Sequence, residues 1–135
     1  MRNAALARDY YQRAKNRILA LNTLYDAHAW ADVVRESQEV VELALKALLR
    51  ISNIEVPRIH DVSEVLIAET SIMAKAIQKE IPRFCEISRR LRRDRELSFY
   101  GTEDLTPIDF YKEADAKTAR EDAQLVVDKL AVVFG

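Results

Sequence analysis

Between residues 30 and 51 the apolar positions fill an unusually wide arc of a helix. Trp30, Val33, Val34, Ser37, Val40, Val41, Ala44, Leu45 and Leu48 recur at steps of three and four, the spacing that keeps side chains on one side of a helix. The charges are confined to a narrow strip of Asp32, Arg35, Glu39, Glu42, Lys46 and Arg50. A helix this apolar must be covered from more than one direction, so it belongs at the centre of a bundle. Ser37 and Ala44 leave room for neighbouring helices to approach.

The rest of the chain supplies those neighbours. Ala7, Tyr11, Ala14, Ile18, Leu21 and Tyr25 form one stripe of a helix over about residues 3–25. Ala116, Ala119, Ala123, Val126, Leu130 and Val133 form another that reaches the last residues. Pro57 ends any helix before it. Asp61 with Glu64 has the spacing of an N-cap and its reciprocal acid, which predicts a short helix carrying Val62, Val65 and Leu66 inward. A further long helix, broken or begun at Pro82, runs to about Leu97 with Gly101 as its stop. Thr106, Pro107 and Asp109 offer one more start, although 107–112 also reads as a loop. With two Gly and three Pro in 135 residues there are few other places to turn. The expectation is an all-α, up-and-down helical bundle of four long helices plus a short one, in a single domain spanning residues 1–135.

The charge distribution singles out one segment. A net charge of −1 argues against wholesale coating of nucleic acid. Yet Arg89, Arg90, Arg92, Arg93 and Arg95 crowd into one stretch. Arg95 continues the apolar stripe Ile77, Ile81, Phe84, Ser88 and Leu91, a position aimed at an interface unless a fraying helix end lets it snorkel to water. The plainest alternative for the run is surface pairing with Asp94, Glu96, Glu103 and Asp104.

Other chemistry is thin. His28 and His60 both fall at predicted helix boundaries, His28 as an exposed loop residue and His60 as packing or bonding in a turn. Neither has a second His or Cys at ligand spacing, so no metal and no cofactor are expected. The single cysteine, Cys85, excludes an internal disulfide and has no His at hand to activate it. There is no glycine-rich phosphate loop. No segment has the apolar length of a signal peptide or membrane span, so a cytoplasmic protein is expected.

Residues 29–66, from Ala29-Trp30-Ala31-Asp32-Val33-Val34 through Ile59-His60-Asp61-Val62 to Val65-Leu66, resemble the second helix and following His-Asp turn of HEPN domains. The resemblance extends over nearly the whole chain. It implies a short bundle of four or five helices, usually dimeric, often encoded beside a minimal nucleotidyltransferase as a toxin and antitoxin pair. Many members are metal-independent ribonucleases that carry an Arg and then a His, four to six residues apart, near the end of the third long helix. Here Arg95 matches the arginine, but Tyr100 stands about where the histidine belongs. A phenol with an ordinary pKa near 10 can donate to a phosphate but is a poor base near neutral pH.

The resemblance therefore implies a homodimeric, non-catalytic module holding a nucleotide, an RNA phosphate or a protein partner. Arg92, Arg93, Arg95 and Tyr100 would line its cleft, with Arg35, Glu36, Glu39, His60 and Asp61 in support. No residue is assigned a catalytic role. The alternative is a ribonuclease toxin acting with a nucleotidyltransferase antitoxin. In HEPN-like packing a charged residue of the central helix often lies near the arginine, so the resemblance implies that Arg35, Glu36 or Glu39 pairs with Arg95. A homodimer is also suggested by the width of the apolar arc at 30–51, which looks too broad for one bundle to cover.

Overall fold

A computed structural model describes residues 2–58, 62–100 and 110–135, with backbone alone for Arg2 and for residues 94–100. Among these residues the structure is all α-helix with no strand: α1 (Arg2–Asp26), α2 (Trp30–Ile51), α3 (Val62–Ala68), a 3-10 turn (Thr70–Ile72), α4 (Lys75–Gln78), α5 (Ile81–Tyr100) and α6 (Glu113–Phe134). The expected cap at Asp61, His60 beside it, and the start at Thr106–Pro107 lie outside the described residues.

The four long helices run up, down, up and down. Arg17 reaches Glu36 and Arg50 lies over Tyr10, which sets α2 antiparallel to α1. Arg90 pairs with Asp122 and Glu80 with Lys129, which sets α6 antiparallel to α5. α2 is the hub and packs on α1, α6 and α5 in decreasing extent. Val33, Val34, Val41, Leu45 and Leu48 are each at most 1% exposed within this one chain. The arc therefore needs no second copy to cover it, contrary to the expectation drawn from its width: α1, α5 and α6 already close over it.

Both ends of the α1–α2 hairpin finish in the same way. After α1, His28 N–H donates to Tyr25 O and Ala29 N–H to Leu24 O, each at 3.0 Å. After α2, Asn53 N–H donates to Arg50 O at 3.0 Å and Ile54 N–H to Leu49 O at 2.9 Å. These paired bonds satisfy carbonyls that a helix end leaves open, and they require a left-handed residue at the first position past the cap. His28 and Asn53 supply it, at φ 59° and 58°. The His28 ring, exposed as expected, stacks on Trp30 with centroids 5.0 Å apart.

The stripe Ile77, Ile81, Phe84, Leu91 is buried as its spacing predicts, but a break divides it. Ile77 belongs to the four-residue α4, and α5 begins afresh at Ile81 with Pro82 in its first turn, where a missing N–H costs nothing. Beside the expected short helix there are thus α4 and a 3-10 turn. α6 starts at Glu113, where Asp115 Oδ2 accepts the Lys112 N–H at 2.9 Å. Its C-terminal end returns to the start of the chain: Phe134 stacks on Tyr11 with centroids 4.4 Å apart, and Arg8 Nη1 donates to Phe134 O at 3.2 Å. Tyr11 Oη donates to Val127 O at 2.9 Å, and burial, reinforced by Asp128, pushes this phenol above its ordinary pKa.

Candidate phosphate-binding site

The arginine run lies on the second half of α5. Leu91 is buried at 1% exposure and fixes this part of the helix against the core. Arg92, one position on, is half-buried, and Arg93 is exposed. Arg95 and Tyr100 both fall within the helix, which extends to Tyr100 rather than Leu97. Their side chains lie outside the described residues.

Among the α2 carboxylates, Glu42 feels the charge of Arg92, as the smallest of several influences on it. Glu42 sits in a ladder of four-residue steps, Gln38, Glu42, Lys46. Gln38 Nε2 donates to Glu42 Oε2 at 2.8 Å, and Lys46 Nζ pairs with Glu42 Oε1 at 3.2 Å. Burial pushes this carboxyl up, but the Gln38 hydrogen bond, Lys46 and Arg92 together outweigh it and hold Glu42 below the ordinary carboxylate range. Glu42 is thus kept ionised where the arginine-rich helix crosses α2. Gln38 is 7% exposed, and its Oε1 has no hydrogen-bond partner among the described residues.

Of the five residues expected to support the site, His60 and Asp61 lie outside the described residues, and the three on α2 divide differently. Glu36 is bonded to Arg17 at 2.6 Å on the α1 side of α2, away from Glu42, and this hydrogen bond raises the Arg17 pKa further. Arg35 and Glu39 remain half-buried on the strip between the two sides, and neither they nor Arg92 and Arg93 are without partners. Sequence reasoning passed over Glu42 and Gln38 as supports for the arginine helix. Their four-residue spacing is a signal, the same that aligns Glu42 with Lys46. What spacing could not give is the level at which α5 crosses α2.

Cys85 is buried at 2% exposure, exchanging weak bonds with Ser63: its Sγ donates to Ser63 O at 3.6 Å, and Ser63 Oγ donates to Cys85 O at 3.5 Å. It packs α3 on α5. Among the described residues no group of three His, Cys, Asp or Glu side chains could hold a metal ion, and no helix is long and apolar enough to cross a membrane.

An all-α bundle with a central apolar helix and a basic third long helix is the class that these elements define. The chain matches the HEPN domain family over residues 7–132, nearly its whole length, and belongs to that family. No curated protein and no solved structure matches it significantly.

Proposed function

We propose that this chain is a HEPN module that binds the phosphate groups of RNA or nucleotides at the arginine-rich end of α5, and that it does not cleave RNA. The observation that carries the proposal is that buried Leu91 fixes the second half of α5 against the core while Arg92, half-buried, and Arg93, exposed, stand at the surface of the helix that goes on to bear Arg95. Arginine forks so placed suit phosphate oxygens. Cleavage through a 2′-hydroxyl needs a base, and Tyr100 occupies the position where the family's active members have histidine. Binding without a base need not lower that barrier. A two-fold homodimer, in which Arg92, Arg93, Arg95 and Tyr100 line a shared cleft, and a nucleotidyltransferase partner belong to the same proposal and are supported by family membership.

The test incubates purified protein with RNA and with nucleotides, reading binding and cleavage together for wild type, Arg95→Ala and Tyr100→His. The expected result is binding that falls in Arg95→Ala and no cleavage by wild type. Metal-independent cleavage that vanishes in Arg95→Ala would overturn the non-catalytic reading and establish the ribonuclease alternative.

A further inference from the structure

The charged strip of α2 and the adjoining flank of α1 carry five cations, Arg13, Arg17, Arg35, Lys46 and Arg50, and four of them are held in two ways. Arg17 is held by Glu36 at 2.6 Å and Lys46 by Glu42 at 3.2 Å. Arg13 and Arg50 have no carboxylate at pairing distance among the described residues. Instead both lie over the ring of Tyr10, their guanidinium carbons 5.8 and 5.4 Å from its centroid. Arg50 Nε is buried and has no hydrogen-bond partner among the described residues.

A guanidinium resting on a ring keeps its in-plane N–H donors unspent, and those donors match the oxygens of a phosphate. Two like charges gathered round one ring repel each other unless an anion sits between them. The pairs at Arg17 and Lys46 show that carboxylates neutralise cations on this face, whereas Arg13 and Arg50 have none at pairing distance among the described residues. We propose that these three residues form an anion subsite that accepts a backbone phosphate of single-stranded RNA. An acidic peptide would use only the charge, whereas RNA also uses the planar faces, since bases stack on aromatic rings and on guanidinium planes. The subsite is separate from the α5 site: Arg50 lies two helical turns beyond Glu42, about 12 Å along α2. Lys46 stands between them on α2, paired with Glu42. The choice of RNA rests on the function proposed above, but the subsite has its own test.

Fluorescence anisotropy with end-labelled oligouridylate would compare wild type, the double variant Arg13→Gln/Arg50→Gln, and Lys79→Gln on the exposed end of α4. The double variant is expected to weaken binding about tenfold at low salt and to flatten the dependence of log affinity on log salt by about 0.7 for each phosphate that is no longer neutralised. Lys79→Gln should change neither. Wild-type affinity and slope in the double variant would overturn the proposal, as would dependence on these arginines for oligoglutamate but not for RNA. Should the double variant fail to fold, nitrogen-15 NMR of the wild type decides the matter: the Arg50 Nε–H resonance shifts on adding the oligonucleotide, and an unmoved resonance refutes the subsite. Arg92→Gln/Arg93→Gln, measured alongside, separates the two sites. If that variant binds normally while Arg13→Gln/Arg50→Gln does not, the α5 site fails and the subsite stands.

Discussion

Replacing Glu42 separates two roles that one carboxylate combines. In Glu42→Ala, Gln38 keeps its buried position but loses the acceptor for Nε2, so both ends of its amide are left without a partner. An unsatisfied buried donor costs about 1–3 kcal/mol. The Lys46 pair adds about 0.3–0.5 kcal/mol. Both its side chains are about 30% exposed, which screens it. The half-buried Arg92 adds no more than about 1 kcal/mol. The sum is a destabilisation of about 1–4 kcal/mol for Glu42→Ala, most of it from Gln38. Glu42→Gln retains an acceptor for Gln38 and loses only the charge, a cost of about 1 kcal/mol. Urea unfolding of the two variants at neutral pH measures the difference directly. Because the folded carboxyl is held below its ordinary pKa, the ionic part of its stabilisation is complete above the unfolded value and is lost as pH falls through the depressed folded value. The gap between wild type and Glu42→Gln should therefore close on acidification. Equal losses in Ala and Gln variants at neutral pH, or a loss below about 0.5 kcal/mol in Glu42→Ala, would show that the ladder does not hold the helices together.

Two further outcomes test the fold. Leu45→Ala, at a fully buried position of α2, should cost about 3 kcal/mol and lower the melting temperature by roughly 10 °C; a loss under about 1 kcal/mol would mean that α2 is not the hub. Asn53→Ala places a side chain with no local hydrogen bonding at φ 58° and should cost about 1 kcal/mol by thermal melting, whereas Asn53→Gly should stay within about 0.5 kcal/mol of wild type.

The legible part of the fold is the part written in periodicity. Residues 30–51 could be bounded to the residue because a wide apolar arc begins at Trp30 and stops at Ile51. The start of α5 was legible at Pro82, which marks a helix begun or broken there, even though Ile77 and Ile81 keep a helical step of four across the gap between α4 and α5. The turns at His28 and Asn53 carried no glycine to mark them, and a left-handed residue that is not glycine leaves little trace in a sequence. At the candidate site the arginine run announced itself through charge. Glu42, the α2 carboxylate that feels Arg92, did not, because which charges face each other across two helices depends on their relative height, which no local pattern records. The same holds for Arg50, which lies far along the chain from Tyr10 and Arg13 and meets Tyr10 only through the α1–α2 hairpin.

The meeting of Phe134 with Arg8 and Tyr11 has a consequence for the order in which the molecule assembles. α1 and α2 are joined by three residues, so their pairing closes a very short loop and loses little chain entropy. The contact between Arg8 and Phe134 closes a loop of 126 residues, whose entropy must be given up before the contact returns anything. α6 also docks largely through alanines and valines, with Ala116, Ala119, Ala123, Val126 and Val127 buried, and such small side chains gain little until a shaped surface is waiting for them. That surface is built by α1 and α2. The hairpin is therefore the natural nucleus, and α6 closes it last, so destabilising changes in α6 should appear mainly as faster unfolding while those in α1 or α2 slow folding itself.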